Sequence, residues 1–203
     1  MKRIILSSFL FLFIISTALY AQAGIYTVRS GDSMWKIAVK HEIGLSELAK
    51  ANPQIKNLAL IYPGQNITIP NIDSIKELET EVIRLVNIER SKRGLQTLQQ
   101  DWELSRVARY KSQDMIDKGY FAHTSPTYGS PFKMIESFGI KFSAAAENIA
   151  QGQKTPQEVL NSWMNSPGHR NNILSQSFYQ IGVGAAKDSK GNITWTQMFI
   201  KPL

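Results

Sequence analysis

The chain has 203 residues, of which 43% are hydrophobic and 19% charged; this balance suits folded domains and excludes wholesale disorder. It has no cysteine, which excludes a disulfide-stapled fold, a cysteine nucleophile, thiolate-bound zinc and a lipid-modified N-terminal cysteine. Twenty-three Lys and Arg against 16 Asp and Glu give a formal net charge of +7, and three histidines leave few groups for imidazole chemistry.

The chain opens Met1-Lys2-Arg3, runs apolar from Ile4 to Tyr20 and then reads Ala21-Gln22-Ala23. A basic start, an apolar core and an A-x-A site are the pattern of a secretory signal peptide over residues 1–23. The alternative is a retained anchor helix, since the run is nearly long enough to span a bilayer. Cleavage after Ala23 removes two basic groups and no acid, leaving 180 residues at net +5. That charge suits anionic wall polymers or phospholipid without choosing between them. Export and the lack of a basic arm argue against nucleic acid. No later stretch is long and apolar enough for a stable membrane span. An exported chain without cysteine points to a bacterial envelope.

Residues 24–70 read as strand, helix, helix, strand. Ile25 to Val28 has strand composition, and Asp32 or Ser33 can cap a helix whose apolar face uses Trp35, Ile37, Ala38 and Val39. Gly44 breaks it. Ser46 is expected to cap a second helix that ends at Asn52-Pro53. Tyr62-Pro63-Gly64-Gln65 reads as a turn before a strand at Ile67–Ile69. The pattern Tyr-Thr-Val-x-x-Gly-Asp-Ser-x-Trp-x-Ile-Ala, then Asn-Pro, then Tyr-Pro-Gly-Gln-x-Ile-x-Ile-Pro resembles a LysM domain across the whole stretch. The resemblance implies recognition of N-acetylglucosamine glycans, peptidoglycan or chitin. It implies a groove walled by Gly31, Asp32, Ser33 and Met34 on one side and Ile61, Tyr62, Pro63 and Gly64 on the other. An N-acetyl group needs backbone donors and acceptors beside an apolar wall, and Gly31 and Gly64 permit that approach. Trp35 is expected in the core and His41 on the solvated surface. Tyr62 serves either as a turn residue or as a sugar contact.

Residues 71–78 form a short seam with a capping-box pattern from Ser74 to Glu77. Its shortness implies limited motion between the units. A helix is expected from about Ser74 to Arg93 with Gly94 as C-cap. Asp101 caps the next helix, whose face of Leu104, Val107, Ala108 and Met115 includes Lys111 as a polar exception; Gly119 ends it. Ser130-Pro131 opens a third helix, ending at Gly139, and Thr155-Pro156 a fourth. Ile181–Ala185 and Ile193–Phe199 read as strands joined by a turn at Asp188–Asn192. Helices followed by a hairpin indicate α+β.

Two of the three histidines fall in loop-like segments, His123 after the second of these helices and His169 directly after Ser166-Pro167-Gly168. Glu147 sits in a run of small apolar residues, where an acid is costly unless partnered. Two imidazoles can bind zinc, with a carboxylate to orient a ligand or water. His–Glu pairs also suit general acid–base work. Equally, each group can satisfy its own local backbone.

Val86 to Arg90, the His123 segment, Ala146 to Gly152, Ser162 to Arg170, Ile181 to Gly184 and Trp195 to Phe199 recur in order, and together they resemble a CAP (SCP-like) domain over residues 79–203. The resemblance implies an α–β–α sandwich with a central cleft. It implies a site of His123, Glu147 and His169, in which the two histidines bind zinc in some members. The second glutamate of the animal and plant pattern is missing, since Met164, Asn165 and Ser166 follow Trp163. Asn148 and Gln197 are the substitutes that could supply hydrogen bonds, or else they tie strands and loops.

The leading expectation is an exported, cell-wall-associated binding protein. It is held on peptidoglycan by residues 24–70 and presents the CAP cleft to a protein or small-molecule ligand, in the envelope or spore coat. One alternative is a zinc-dependent peptidoglycan hydrolase or peptidase using His123, Glu147 and His169. Against it stand two protein ligands where catalytic zinc usually has three, and a single placed carboxylate. The other alternative is a lipid- or sterol-binding cleft.

Overall fold

The computed structural model describes residues 24–203; the signal-peptide reading of residues 1–23 lies outside them. In the first domain β1 (Gly24–Thr27) pairs antiparallel with β2 (Asn66–Ile69). Between them lie α1 (Met34–Lys40) and α2 (Leu45–Lys50). Ser33 caps α1 by accepting from the Lys36 amide at 3.1 Å. Asp32 instead accepts from the Tyr26 hydroxyl at 2.8 Å and the Arg29 amide at 2.7 Å, which closes the loop on itself. Asn52, fully buried, donates to the Leu48 and Thr68 carbonyls and accepts from the Thr68 amide, all at 2.8 Å. That one side chain ties the end of α2 to β2.

Three local expectations change here. Gly44, not Ser46, is the N-cap of α2, its amide donating to the Glu47 carboxylate. Trp35 is 43% exposed while Met34 is 1% exposed. Met34, Ile37 and Ala38 share one helix face at i, i+3 and i+4, which turns Trp35 outward. His41 is half-buried rather than solvated: it ends α1, packs edge-on against Tyr26, and its carbonyl accepts from Lys76 Nζ at 3.0 Å.

The second domain begins with α3 (Asp73–Ser91). The Ser74 capping box does not form; Ile72 occupies the N-cap, and Asn71 Oδ1 accepts from the Asp73 amide at 2.9 Å. Lys92, not Gly94, is the C-cap; Gly94 takes a positive φ two residues later. After β3 (Gln99–Gln100), α4 (Trp102–Lys118) is capped by Asp101 and stopped by left-handed Gly119, as the sequence indicates. There follow α5 (Pro131–Ser137), β4 (Phe142–Gln151), α6 (Pro156–Asn165), α7 (Pro167–Leu174), β5 (Gln180–Lys187) and β6 (Ile193–Pro202).

The sheet runs β3-β5-β6-β4, with β3 parallel to β5 and the other pairs antiparallel. Side chains alternate across β6: Ile193, Trp195 and Phe199 pack with α3, α6 and α7, while Met198 and Ile200 pack with α4 and α5. The result is the expected α–β–α sandwich within an α+β chain. Gly182 and Gly184 on β5 let α4 lie directly on the sheet. A β-carbon at Gly184 would fall on the Ala108–Arg109 backbone, and one at Gly182 on the Leu104–Ser105 backbone.

The short seam leaves the domains in contact. Ser46 Oγ donates to the Tyr110 hydroxyl at 2.5 Å. Arg109 pairs with Glu79 and lies 3.5 Å from Glu47 of the first domain. The Arg106 guanidinium stands 5.0 Å from the Trp35 ring centroid.

Candidate functional site

The loop carrying His123 is built on α4. Lys111 is fully buried in the helix face, and its Nζ donates to the His123 carbonyl at 2.8 Å and the Tyr120 hydroxyl at 3.1 Å. Asp114, one turn on, accepts from the hydroxyls of Tyr120 (2.5 Å), Ser125 (2.7 Å) and Thr127 (2.6 Å). The loop is therefore held by charge-assisted bonds at both ends. Burial and the Asp114 carboxylate push the Tyr120 phenol far above its ordinary value, so it stays a donor.

Glu147 comes from β4, opposite Met198. Its side chain is 2% exposed, and Oε1 lies 2.8 Å from Nδ1 of His123, whose side chain is 54% exposed. A carboxylate only accepts, so Nδ1 is the donor and Nε2 is the nitrogen left for a ligand. Glu147 Oε2 is buried without a partner. Burial pushes the Glu147 carboxyl up, against the pull of His123 and then Lys111. The hydrogen bond to Glu147 raises His123, against burial. The pair is thus a buried acid behind an accessible imidazole that keeps its proton to higher pH than a free histidine.

His169 lies in α7, not in a loop as the sequence suggested. Ser-Pro-Gly reads as a turn, but Pro167 stands at the first helical position directly after α6. Burial lowers the pKa of its half-buried ring, and the charge of His123 adds a smaller push in the same direction. Asn148, fully buried, donates to the His169 carbonyl at 3.1 Å and to Gln197 Oε1 at 2.9 Å, and accepts from Asn172 at 2.8 Å. Asn148 and Gln197 face each other in the β4–β6 register and are both fully buried. Their hydrogen bonds among the described residues tie α7 to the sheet. Arg90 completes that support by donating to the carbonyls of Ile173 and Ser175 at the end of α7, both at 2.7 Å.

Sequence reasoning missed Lys111, Asp114 and Tyr120 as parts of the site. Lys111 did give a signal, as a cation on an otherwise apolar helix face.

The site fits zinc only in part. A carboxylate behind one imidazole nitrogen is how metal-binding histidines are oriented. Yet among the described residues no three His, Asp or Glu side chains converge on one point, and the nearby acid Asp114 is taken up by three hydroxyls. A three-ligand catalytic zinc centre is not matched.

In the first domain, Gly31 (φ 83°) and Gly64 (φ 87°) take left-handed conformations that favour glycine. Tyr62 is 60% exposed, and Pro63 is exposed beside it. Ile61 packs on the domain core, Met34 lies within it, and Asp32 and Ser33 are used in the loop and cap just described. Of the eight groove residues expected, Gly31, Tyr62, Pro63 and Gly64 present open surface. Elsewhere, a cavity of about 780 Å³ opens at the domain seam, walled by residues such as Ile72, Ile75, Tyr110 and Tyr128.

A model of the LysM domain matches residues 26–70, and a model described as the cysteine-rich secretory protein family (CAP) matches residues 83–199. Protein YkwD of Bacillus subtilis is 56% identical over 135 residues, which are 66% of this chain and 51% of that protein. The chain therefore spans about half the length of that relative. The crystal structure of an extracellular protein containing an SCP domain from Bacillus anthracis is 34% identical, with a TM-score of 0.59, over 68% of this chain and 47% of that one. The spore coat assembly protein ExsA of Bacillus cereus is 43% identical over 47 residues, 23% of this chain and 7% of its own length.

Proposed function

Because this chain belongs to the cysteine-rich secretory protein (CAP) family and carries a LysM domain ahead of that fold, we propose that it is an exported wall-binding protein. Its LysM domain holds N-acetylglucosamine glycan and its CAP domain offers the His123–Glu147 pair to a second ligand. One observation carries this reading: the domains are joined side to side, through Ser46–Tyr110, Glu47–Arg109 and Trp35–Arg106. A glycan held by the first domain then fixes where His123 stands relative to the wall. The likeness to an extracellular SCP protein supports export. Spore-coat association is a narrower form of the same proposal, supported by the short match to ExsA.

Binding rather than hydrolysis follows from what the acids do. Glu147 is engaged with His123, and Asp114 with Tyr120, Ser125 and Thr127. Cleavage of a glycosidic bond by the usual route wants two facing carboxylates, which this site lacks. The ligand would be one that accepts a hydrogen bond from protonated His123 Nε2, such as a carboxylate or carbonyl.

The test is co-sedimentation of the purified protein with peptidoglycan, followed by mass spectrometry of the soluble fraction with and without zinc. Pelleting with unchanged muropeptides is the expected result. New muropeptides that vanish in His123→Ala and Glu147→Ala would replace this reading with a hydrolase. Failure to pellet would overturn it altogether.

A further inference from the structure

Two arginines one turn apart on α4 are buried in opposite ways. Arg109 has Glu79 and Glu47. Arg106 is 4% exposed, yet among the described residues it forms no ion pair and no hydrogen bond, and its Nε is buried without a partner. Its guanidinium lies instead among aromatic rings, with centroids at 5.0 Å (Trp35), 5.3 Å (Phe138) and 5.8 Å (Trp102). Trp35 belongs to the LysM domain and the other two rings to the CAP domain. Aromatic faces offset only part of what a cation loses on leaving water. A planar fork of donors with no partner among the described residues matches a carboxylate.

The position of this cage gives it meaning. Trp35 stands in the first turn of α1, four residues after Gly31, the open residue on that side of the expected LysM groove, and is 43% exposed. A glycan seated against Gly31 would bring its substituents toward Trp35 and the guanidinium behind it. An exposed indole also suits the apolar face of a sugar ring.

We propose that Arg106, with Trp35 and Trp102, extends the LysM groove across the domain seam and binds a carboxylate borne by the glycan. This rests on the glycan-binding reading above and sharpens it. The ligand is a carboxylate-bearing N-acetylglucosamine glycan, as in peptidoglycan, rather than neutral chitin.

The test is calorimetric titration of the purified protein with two tetrasaccharides. One is neutral chitin; the other is a phosphate-free peptidoglycan fragment carrying stem-peptide carboxylates. The carboxylated ligand is expected to bind about tenfold tighter, a difference of about 1.4 kcal/mol. Arg106→Gln should abolish that preference while leaving chitin affinity unchanged, which also shows that the groove is folded. Equal affinities in the parent protein, or a preference that survives Arg106→Gln, would overturn the subsite and leave the glycan reading standing. Failure of the parent to bind either sugar would overturn both. Should Arg106→Gln misfold, Arg106→Lys decides: it keeps charge but not the fork, so a reduced preference supports the subsite and an undiminished one overturns it.

Discussion

Arg109 and Glu79 are joined by two parallel hydrogen bonds, Nε to Oε1 at 2.8 Å and Nη2 to Oε2 at 2.7 Å. Both side chains are more than nine-tenths buried. Glu79 Oε1 also accepts from the Ala185 amide at 3.0 Å, so the pair pins α3 and α4 to β5. Arg109→Met would leave Glu79 charged and unpaired in the interior, at a cost of about 3–5 kcal/mol. The double variant Arg109→Met/Glu79→Leu should recover much of that loss, because no lone charge remains. Urea unfolding of both measures the difference; equal losses would mean that the lone Glu79 charge is not the source of the cost.

Gly184 makes a second stability prediction. The Ile-Gly-Val-Gly motif could be quoted from the sequence, but its reason lies in the helix resting on β5. A β-carbon at Gly184 would meet the backbone of α4 rather than a side chain able to swing aside. Gly184→Ala should cost about 3 kcal/mol, at the upper end of ordinary overpacking. Gly168→Ala, in helix α7 with open space around it, should be neutral or slightly stabilising. Thermal midpoints compare the two, and a tolerated Gly184→Ala would show that α4 can lift from the sheet.

Much of this architecture is legible in the sequence because local signals agreed with the fold. Asp101, Ser130 and Thr155 cap helices where their side chains predicted it, and Gly119 ends α4. Strand β4 was unreadable as a strand, since alanines on both faces of residues 144–150 hide the alternation that marks one. Helix α7 was hidden by Ser-Pro-Gly and by having one buried apolar residue, Ile173. At the candidate site, motif spacing pointed to His123, Glu147 and His169, but not to Lys111 and Asp114. Their roles come from contacts with a loop that only the folded chain brings onto α4. Trp35 and Met34 exchanged places because both are apolar, and only the helix phase decides which one faces in.

The His123–Glu147 pair predicts a pH dependence. His123 binds its proton more tightly folded than unfolded, because Glu147 accepts from it. Its contribution to stability is therefore present in full below the unfolded value, about pH 6.5, and is lost as pH rises through the higher folded value. Glu147→Gln keeps an acceptor but removes the charge, so the His123 midpoint should fall. An NMR titration of the imidazole protons reads this directly. Coincident midpoints in the parent and the variant would remove Glu147 as the cause. His169 should move the other way from a free histidine, since burial and the charge on His123 lower it.

Met34 and Tyr62 were expected to do the same job, and the fold separates them. Met34 is sealed in the LysM core with Val28, Ile37, Leu48 and Ile67. Met34→Ala should cost about 2–5 kcal/mol of that domain's stability and weaken wall binding only through unfolding. Tyr62 is 60% exposed in the turn beside Gly64, and its ring is not part of the core. Tyr62→Ala should therefore leave the folding stability within about 0.5 kcal/mol of the parent, while lowering the fraction pelleted with peptidoglycan. Both are read from one preparation by melting and co-sedimentation at a temperature well below either midpoint. Full wall binding by a folded Tyr62→Ala would mean that the glycan does not use this turn.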